Sequence, residues 1–141
     1  MPTFEKITVS VIVDADIGHA WRAFTSPESI VKWNFASDDW GCPSASNDLK
    51  NGGTFNYRME SKDKDIGFDF NGTYTDVETE KRIEYMLGDD RKVSLEFREV
   101  GGKTEVLETF DAEKENTLEL QKHGWQAILD NFKKHAESIS Q

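Results

Sequence analysis

The feature that most constrains this chain is a run of alternating apolar and polar residues followed by one long amphipathic segment. Residues 49–111 contain several short alternations, separated by turns such as the glycine pairs at 52–53 and 101–102. A period of two predicts antiparallel strands with one buried face. Residues 118–139 instead repeat apolar side chains at three- and four-residue spacing, which predicts a helix with one buried stripe. This helix is the one predicted element large enough to cover the sheet.

The N-terminal third adds one strand and two helices. The alternation in residues 7–13 predicts a strand, and Asp14 or Asp16 can cap a helix after it. Ser26 and Pro27 predict the start of a second, short helix, which ends near Trp33. Residues 34–48 are predicted to form a loop, followed by a short strand around residue 49. The predicted fold is therefore α+β, in the order β-α-α-β6-α, as a single domain over residues 1–141.

The charge of the chain excludes several classes of function. Its 27 Asp and Glu residues against 17 Lys and Arg give a net charge of −10, and no basic cluster is longer than a pair. Nucleic-acid binding normally needs a basic face, so we expect no nucleic-acid partner. No apolar run approaches the roughly 20 residues that span a bilayer, so we expect no membrane partner. A single cysteine cannot form an internal disulfide, which favours a cytoplasmic location. Both a monomer and a homodimer remain open.

Several segments of the sequence carry a resemblance to a known family. They are AWRAFTSPE at 20–28 with Trp33, LKNGGTF at 49–55, GTY at 72–74, RIEY at 82–85, GGKT at 101–104 and GW at 124–125. On these segments, which occur in the family's order, the chain resembles the AHSA-type domains, homologues of the activator of the heat-shock-protein-90 ATPase. These domains belong to the START-like (SRPBCC) helix-grip superfamily. The chain departs from the family pattern at Asn34, where a second tryptophan often follows the first.

The resemblance implies a curved sheet that grips the C-terminal helix, with a cavity between the two. It further implies three hypotheses of function. The first is a protein that binds a hydrophobic or aromatic small molecule without a cofactor. The second is a module that interacts with a chaperone. The third is a cyclase- or hydrolase-like enzyme that uses a carboxylate in the cavity together with a tyrosine, and we rank it last.

Aromatic residues are the main candidates for the lining of such a cavity. The chain has nine Phe, four Trp and three Tyr against only 23 Val, Ile and Leu. These rings either wall a ligand site, with polar tips that orient a ligand, or simply fill the core. We expect the opening between Trp33 and Trp40. The candidate lining comprises Trp21, Trp33, Phe35, Trp40, Phe55, Tyr57, Phe68, Phe70, Tyr85, Phe97, Glu108, Trp125, Leu129 and Phe132.

Glu108 is the charged residue whose position in its strand is ambiguous. If Val106 and Phe110 face inward, the period of two places Glu108 inward as well. Such a buried carboxylate would have a raised pKa and could act as a general base or bind a polar ligand group. In the alternative register Leu107 faces inward, and we expect this register, with Glu108 in solvent. For Arg58 and Arg82 we expect ion pairs on the sheet surface rather than contacts with an anionic ligand.

Metal and nucleophile motifs are not found in the sequence. His123 and His135 lie about 120° apart around a helix, and His19 is expected to be exposed. No HExxH, CxxC or Asp-rich loop occurs, so we predict no metal site. Cys42 has no histidine at motif distance and is interpreted as an incidental thiol. Neither glycine pair opens a helix, as a phosphate-binding loop must, so both are interpreted as hairpin turns.

Overall fold

A seven-stranded antiparallel sheet, curled around one long helix, forms the body of the protein. The computed structural model describes residues 4–63 and 66–139. Residues 1–3, 64–65 and 140–141 of the predicted domain lie outside the described residues. The elements are β1 Lys6–Val13, α1 Ile17–Thr25, α2 Pro27–Trp33, β2 Trp40–Asn47, β3 Thr54–Ser61, β4 Gly67–Glu78, β5 Arg82–Leu87, β6 Lys92–Val100, β7 Lys103–Asp111 and α3 Leu118–Ser138. The predicted α+β helix-grip fold is confirmed.

The strand order positions the helices relative to the sheet. The order is β1-β7-β6-β5-β4-β3-β2, so β1 and β2 are the two edges. α1 and α2 connect these edges, and α2 packs against β2. α3 packs along β1 and against both shorter helices. The inner face of the sheet is therefore covered by helices, and the space between the sheet and α3 is where a site can form.

The register of β7 is decided by burial. Val106 and Phe110 are buried, with 0% and 1% of their surface exposed. Glu108, which lies between them on the same face, is buried as well, at 7% exposed. Glu108 stands opposite Val9 of β1 and opposite Leu95 of β6, both of which are core residues. The period of two therefore turns the carboxyl group of Glu108 inward. The expectation that this residue faces solvent was wrong.

The segment predicted as a loop contains a strand. β2 pairs with β3, and its register shifts between Gly41 and Ser44, on either side of Pro43. Proline lacks an N–H donor, so it occurs at sheet edges and irregularities, and a strand built this way has no alternating pattern to detect. The prediction of a short strand around Leu49 was wrong, because this residue lies in the connection between β2 and β3. The count of six strands after α2 is correct.

Three details of the helices complete the fold. α3 is capped by Thr117, whose Oγ1 accepts a hydrogen bond from the Leu120 N–H at 3.1 Å. Gly124 lies inside α3, where a Cβ placed on it would meet no atom within 4 Å. His19 is buried instead of exposed, because its Nε2 donates a hydrogen bond to the Ala136 carbonyl at 2.7 Å and so joins α1 to α3.

Within the described ranges, no helix is both long enough and apolar enough to cross a bilayer. The stripe on α3 that faces the sheet and the shorter helices contains buried Leu129, Phe132 and Ala136, whereas Lys122, His123 and Asp130 are exposed. The helix therefore has one apolar stripe, which packs inside the protein.

Candidate functional site

An internal cavity of about 220 Å³ lies between the inner face of the sheet and α3. Strands β3, β4, β5 and β7 supply one wall, and α1, α2 and α3 supply the other. The lining residues are Phe24, Trp33, Asn34, Tyr57, Met59, Phe68, Phe70, Tyr85, Glu108, Trp125, Ile128 and Leu129. Seven of the twelve carry aromatic rings, and Glu108 is the single residue among them with a carboxyl group.

The structure brings eight of the fourteen predicted residues together at this cavity. They are Trp33, Tyr57, Phe68, Phe70, Tyr85, Glu108, Trp125 and Leu129. The sheet residues among them reach the cavity because each strand directs alternate side chains to its inner face. The α3 residues reach it because positions four apart lie on the same side of a helix. The other six predicted residues lie outside the lining.

Four of these six residues fill the core around the cavity. Trp21 and Phe97 pack edge to face, with ring centroids 5.1 Å apart and planes at 67°. Phe55 packs against Tyr85, at 4.8 Å between centroids, and is 3% exposed. Phe132 is 0% exposed and packs edge to face on Trp33 at 5.3 Å. Phe97, Phe55 and Phe132 thus each pack on a ring of the lining, Trp21 packs behind Phe97, and none of the four reaches the cavity.

The remaining two residues lie near the ends of the site. Phe35 follows α2, is half-buried against the core, and its backbone carbonyl accepts a hydrogen bond from Asn131 Nδ2 at 2.7 Å. Trp40 begins β2, and its ring lies 5.9 Å from that of Phe68. Both residues therefore hold neighbouring segments in place and leave the lining to other side chains.

Sequence reasoning missed four lining residues. Met59 continues the alternation of Phe55 and Tyr57, so the period of two could have found it. Ile128 and Phe24 belong to the apolar stripes of α3 and α1, which likewise predict burial. Asn34 gives no such signal, because it is polar and follows the end of α2. Its Nδ2 lies 3.4 Å from the sulfur of Met59.

Glu108 is the chemically distinctive residue of the site. It is 7% exposed, and among the described residues none forms a hydrogen bond or an ion pair with its carboxyl group. Burial raises the pKa of Glu108 to about 8, because the charged form loses its hydration and no cation replaces it. The carboxyl group is therefore mostly protonated at neutral pH when the cavity holds no ligand.

The tyrosines near Glu108 are also perturbed. Burial, first of all, raises the pKa of Tyr85 well above its usual value, and the nearby carboxyl of Glu108 raises it further. Burial likewise raises the pKa of Tyr57, with smaller contributions from Tyr74 and Tyr85. Both phenols therefore stay neutral at physiological pH and offer hydroxyl groups for hydrogen bonding inside an otherwise apolar space.

The opening of the cavity lies at Phe68 on β4. This side chain is 48% exposed, whereas the other lining residues are buried or half-buried. The opening was predicted between Trp33 and Trp40. Trp33 is 4% exposed, and its Nε1 donates to the Ala23 carbonyl at 2.9 Å, so it belongs to the inner wall. Trp40 is half-buried beside Phe68 and is thus close to the opening.

The two candidate arginines do not reach the site. Arg58 pairs with Glu60 at 3.0 Å, and Arg82 pairs with Glu84 at 2.8 Å. These pairs form along the strands on partly exposed side chains, so the prediction of surface ion pairs is confirmed.

Cys42 and metal ligands offer no further chemistry. The Cys42 thiol is buried and donates to the Ser44 carbonyl at 3.4 Å, and burial raises its pKa, which disfavours a reactive thiolate. Over residues 4–63 and 66–139, no three His, Cys, Asp or Glu side chains converge as a metal site would require. The polar residues of the cavity lining are Glu108, Tyr57, Tyr85 and Asn34.

Comparison with known proteins places this geometry in a family. The sequence profile of "Activator of Hsp90 ATPase homolog 1-like protein" matches residues 14–137. No curated protein matches the chain. The solution structure of an AHSA1-like protein from Aeromonas hydrophila is similar at 42% identity and a TM-score of 0.89, over 95% of this chain and 93% of that one.

Two further solved structures extend the comparison. Chr148 from Cytophaga hutchinsonii is 48% identical, with a TM-score of 0.82 over 94% of this chain and 92% of its own. NE0264 from Nitrosomonas europaea has a TM-score of 0.79 over 96% of both chains, but at 17% identity it shows a shared fold alone. With a profile match over most of its length, this chain belongs to the activator of Hsp90 ATPase homolog 1-like family.

Proposed function

We propose that this chain is a binding protein for an apolar or aromatic small molecule, which occupies the cavity between the sheet and α3. The observation that carries the proposal is the cavity itself, about 220 Å³ in volume and lined by seven aromatic residues. A cavity of roughly 150 Å³ with an apolar lining already binds benzene. The volume here is therefore sufficient for one ring with a short substituent.

The distribution of polar groups supports this proposal. Ligand sites are mostly apolar, with a few polar groups that fix the orientation of the ligand. In this cavity those groups are the hydroxyls of Tyr57 and Tyr85, the amide of Asn34 and the carboxyl of Glu108. The exposed ring of Phe68 marks the route by which a ligand would enter.

The proposal is tested by measuring ligand binding to the wild type and to a variant with a filled cavity. A panel of small aromatic molecules is screened by thermal shift, and positives are confirmed by NMR shift perturbation. Ile128→Phe adds volume at the cavity wall and is expected to abolish binding. Leu120→Phe, on the exposed side of the same helix, is the control and is expected to bind as the wild type does. Equal binding by both variants contradicts the proposal.

A second candidate is acid–base catalysis by Glu108. It is favoured by the position of this carboxyl inside the cavity beside Tyr85, with a pKa raised by burial to about 8, close to neutrality. The cyclase- or hydrolase-like hypothesis thus keeps its candidate base. Once a ligand is found, its chemical conversion in the presence of wild type but not of Glu108→Gln is the result expected of an enzyme. An unchanged ligand after prolonged incubation removes this candidate.

The chaperone-interacting role rests on the family description alone. Its test is independent of the cavity: the ATPase rate of heat-shock protein 90 is measured with and without this protein. Stimulation that persists in Ile128→Phe supports a surface interaction, and the absence of both binding and stimulation removes the hypothesis.

A further inference from the structure

We propose that the cavity selects a small organic cation, an amine with one ring or an equivalent apolar body, whose ammonium group pairs with Glu108. This inference rests on the proposed function, since it names the class of ligand for the same cavity. It goes beyond that function because an apolar cavity alone would take a neutral hydrocarbon equally well.

Among the described residues, none forms a hydrogen bond or an ion pair with the carboxyl group of Glu108. Buried carboxyl groups in proteins are normally paired or hydrogen-bonded. Here the flanking residues across the sheet, Val9 and Leu95, are apolar, and no described residue donates to the carboxyl. The lining contains no Lys, Arg or His. A cationic ligand would therefore supply the partner that the chain does not.

The cavity that contains the carboxyl group of Glu108 is lined mainly by aromatic rings. Cations are attracted to the faces of aromatic rings, most strongly to Trp and then to Tyr and Phe. Trp125 and Phe70 line the cavity with ring centroids 6.3 Å apart and planes at 74°, and Tyr85 lies 6.4 Å from Phe70 at 87°. An ammonium group beside Glu108 would thus meet both a carboxylate and ring faces, whereas a neutral ligand would gain apolar contact and at most a hydrogen bond to the carboxyl group.

The net charge of the chain also favours a cationic ligand over an anionic one. The net charge of −10 attracts cations to the protein and repels anions. An anionic ligand would in addition meet the carboxyl of Glu108 without any basic group in the lining. A volume of about 220 Å³ limits the ligand to approximately one ring with a short chain, as argued from the benzene-sized reference cavity.

The protonation state of Glu108 makes the proposal testable through pH. Its pKa lies near 8 in the ligand-free protein because of burial, so an ammonium ligand that binds at lower pH displaces one proton. Below about pH 8, the affinity for the amine should therefore rise by up to tenfold for each unit by which the pH increases. A neutral ligand that accepts a hydrogen bond from the protonated carboxyl shows the opposite sign: its affinity falls as the pH rises through 8.

The other titratable groups on the strands around the cavity do not titrate in this range. From the sheet, Tyr85 on β5, Tyr57 on β3 and Tyr74 on β4 have pKa values raised above their usual ones, chiefly by burial. The pKa of Cys42 on β2 is likewise raised by burial, and this thiol contributes to the raised pKa of Tyr57. All four remain neutral below pH 8.

The helices and the neighbouring strands add no titratable group at the cavity. α3 presents Trp125, Ile128 and Leu129, while α2 with the residue after it presents Trp33 and Asn34. The remaining lining residues, Phe24 of α1, Met59 of β3 and Phe68 and Phe70 of β4, carry no charge either. The pH dependence of binding can therefore be assigned to Glu108.

The experiment compares three probes of nearly equal shape by isothermal titration calorimetry at pH 6, 7 and 8. The probes are 2-phenylethylamine, 2-phenylethanol and phenylacetate, which are a cation, a neutral molecule and an anion at these pH values. We expect the amine to bind most tightly, with an affinity that rises with pH and with release of one proton, detected in buffers of different ionisation enthalpy. Phenylacetate is expected not to bind.

Two variants separate the role of Glu108 from that of the cavity. Glu108→Gln is expected to lose the preference for the amine and its pH dependence while it retains binding of 2-phenylethanol. Glu96→Gln, on the neighbouring strand and paired with Arg98, is the control and should behave as wild type. If Glu108→Gln fails to fold, the pH profile and proton release of the wild type still decide the question.

The possible results distinguish the two proposals. If the alcohol binds as tightly as the amine at every pH, the cavity is a ligand site but the proposed cation selectivity is wrong. If the affinity of the amine falls between pH 6 and 8, the pairing with an ionised Glu108 is wrong. If none of the probes binds, the inference fails together with the proposed function for ligands of this size.

Discussion

The indole of Trp125 lies flat on the ring of Phe110, with centroids 4.0 Å apart and planes at 10°. Trp125 belongs to α3 and lines the cavity, whereas Phe110 is 1% exposed and lies two residues beyond Glu108 in β7. The stack therefore joins the C-terminal helix to the strand that carries the buried carboxyl. It fixes the distance between the two walls at the inner end of the site.

The first prediction concerns the energy of this stack. Phe110→Leu and Trp125→Leu are expected to be non-additive, with a coupling free energy of about 1 kcal/mol, because aromatic pairs contribute beyond their buried area. The coupling is measured by urea unfolding of both single variants and the double variant. A control cycle combines Trp125→Leu with Trp21→Leu, whose ring packs on Phe97 instead. Equal coupling in the two cycles contradicts the prediction.

The second prediction concerns the dependence of stability on pH through Glu108. Its folded-state pKa of about 8 lies above the usual value near 4.5, so the folded state holds a proton that the unfolded state releases between these values. The contribution of this group to the free energy of unfolding is therefore fully present below about pH 4, and it is lost as the pH rises to 8. Relative to Glu108→Gln, the wild type should lose up to about 4 kcal/mol between pH 5 and 8.

The measurement is urea unfolding of wild type and variant at each pH unit from 5 to 8. The difference between the two proteins is the relevant quantity, since it removes the contributions of the other carboxylates. Glu96→Gln, which changes a paired carboxylate on β6, should show no comparable trend. A constant difference between wild type and Glu108→Gln across this range is the contradictory outcome.

Most of the fold could be predicted from the sequence, because alternation and helical spacing report which side chains are buried. β1 is a clear example: residues 7, 9, 11 and 13 are buried and residues 6, 8, 10 and 12 are exposed. The same periodicity cannot show how deep a buried ring lies. Trp33 and Phe132 carry the same signal, yet one lines the cavity and the other fills the core beneath it. Only the packing of α1, α2 and α3 separates them.

Two other features escaped sequence reasoning for different physical reasons. β2 lacks alternation because Pro43 interrupts its ladder, so its edge position is visible only in the paired sheet. Glu108 was predicted to face solvent, since a charged residue is seldom buried without a partner. A local rule broken in this way is most often found at a functional or strained site, which is consistent with a ligand that supplies the partner.

The third prediction concerns the hydrogen bond between His19 and the Ala136 carbonyl, 2.7 Å long and buried between α1 and α3. His19→Leu leaves this carbonyl without its donor and should destabilise the protein by roughly 1–3 kcal/mol. His123→Leu provides the matched control, because His123 is exposed on α3. Both are compared with wild type by urea unfolding. Equal stability of the two variants would show that the buried contact contributes little.

The fourth prediction contrasts two glycines with opposite surroundings. A Cβ at Gly124, inside α3, would meet nothing within 4 Å, so Gly124→Ala should stabilise the helix by about 1 kcal/mol through its higher helix propensity. A Cβ at Gly72, in β4, would lie 2.7 Å from the Met86 carbonyl and 3.0 Å from the ring of Phe55. Gly72→Ala should therefore destabilise the protein by roughly 1–3 kcal/mol, because the strand or the Phe55 ring must move. Thermal and urea unfolding of the two variants should shift in opposite directions, and a shift of the same sign in both would refute this account of their surroundings.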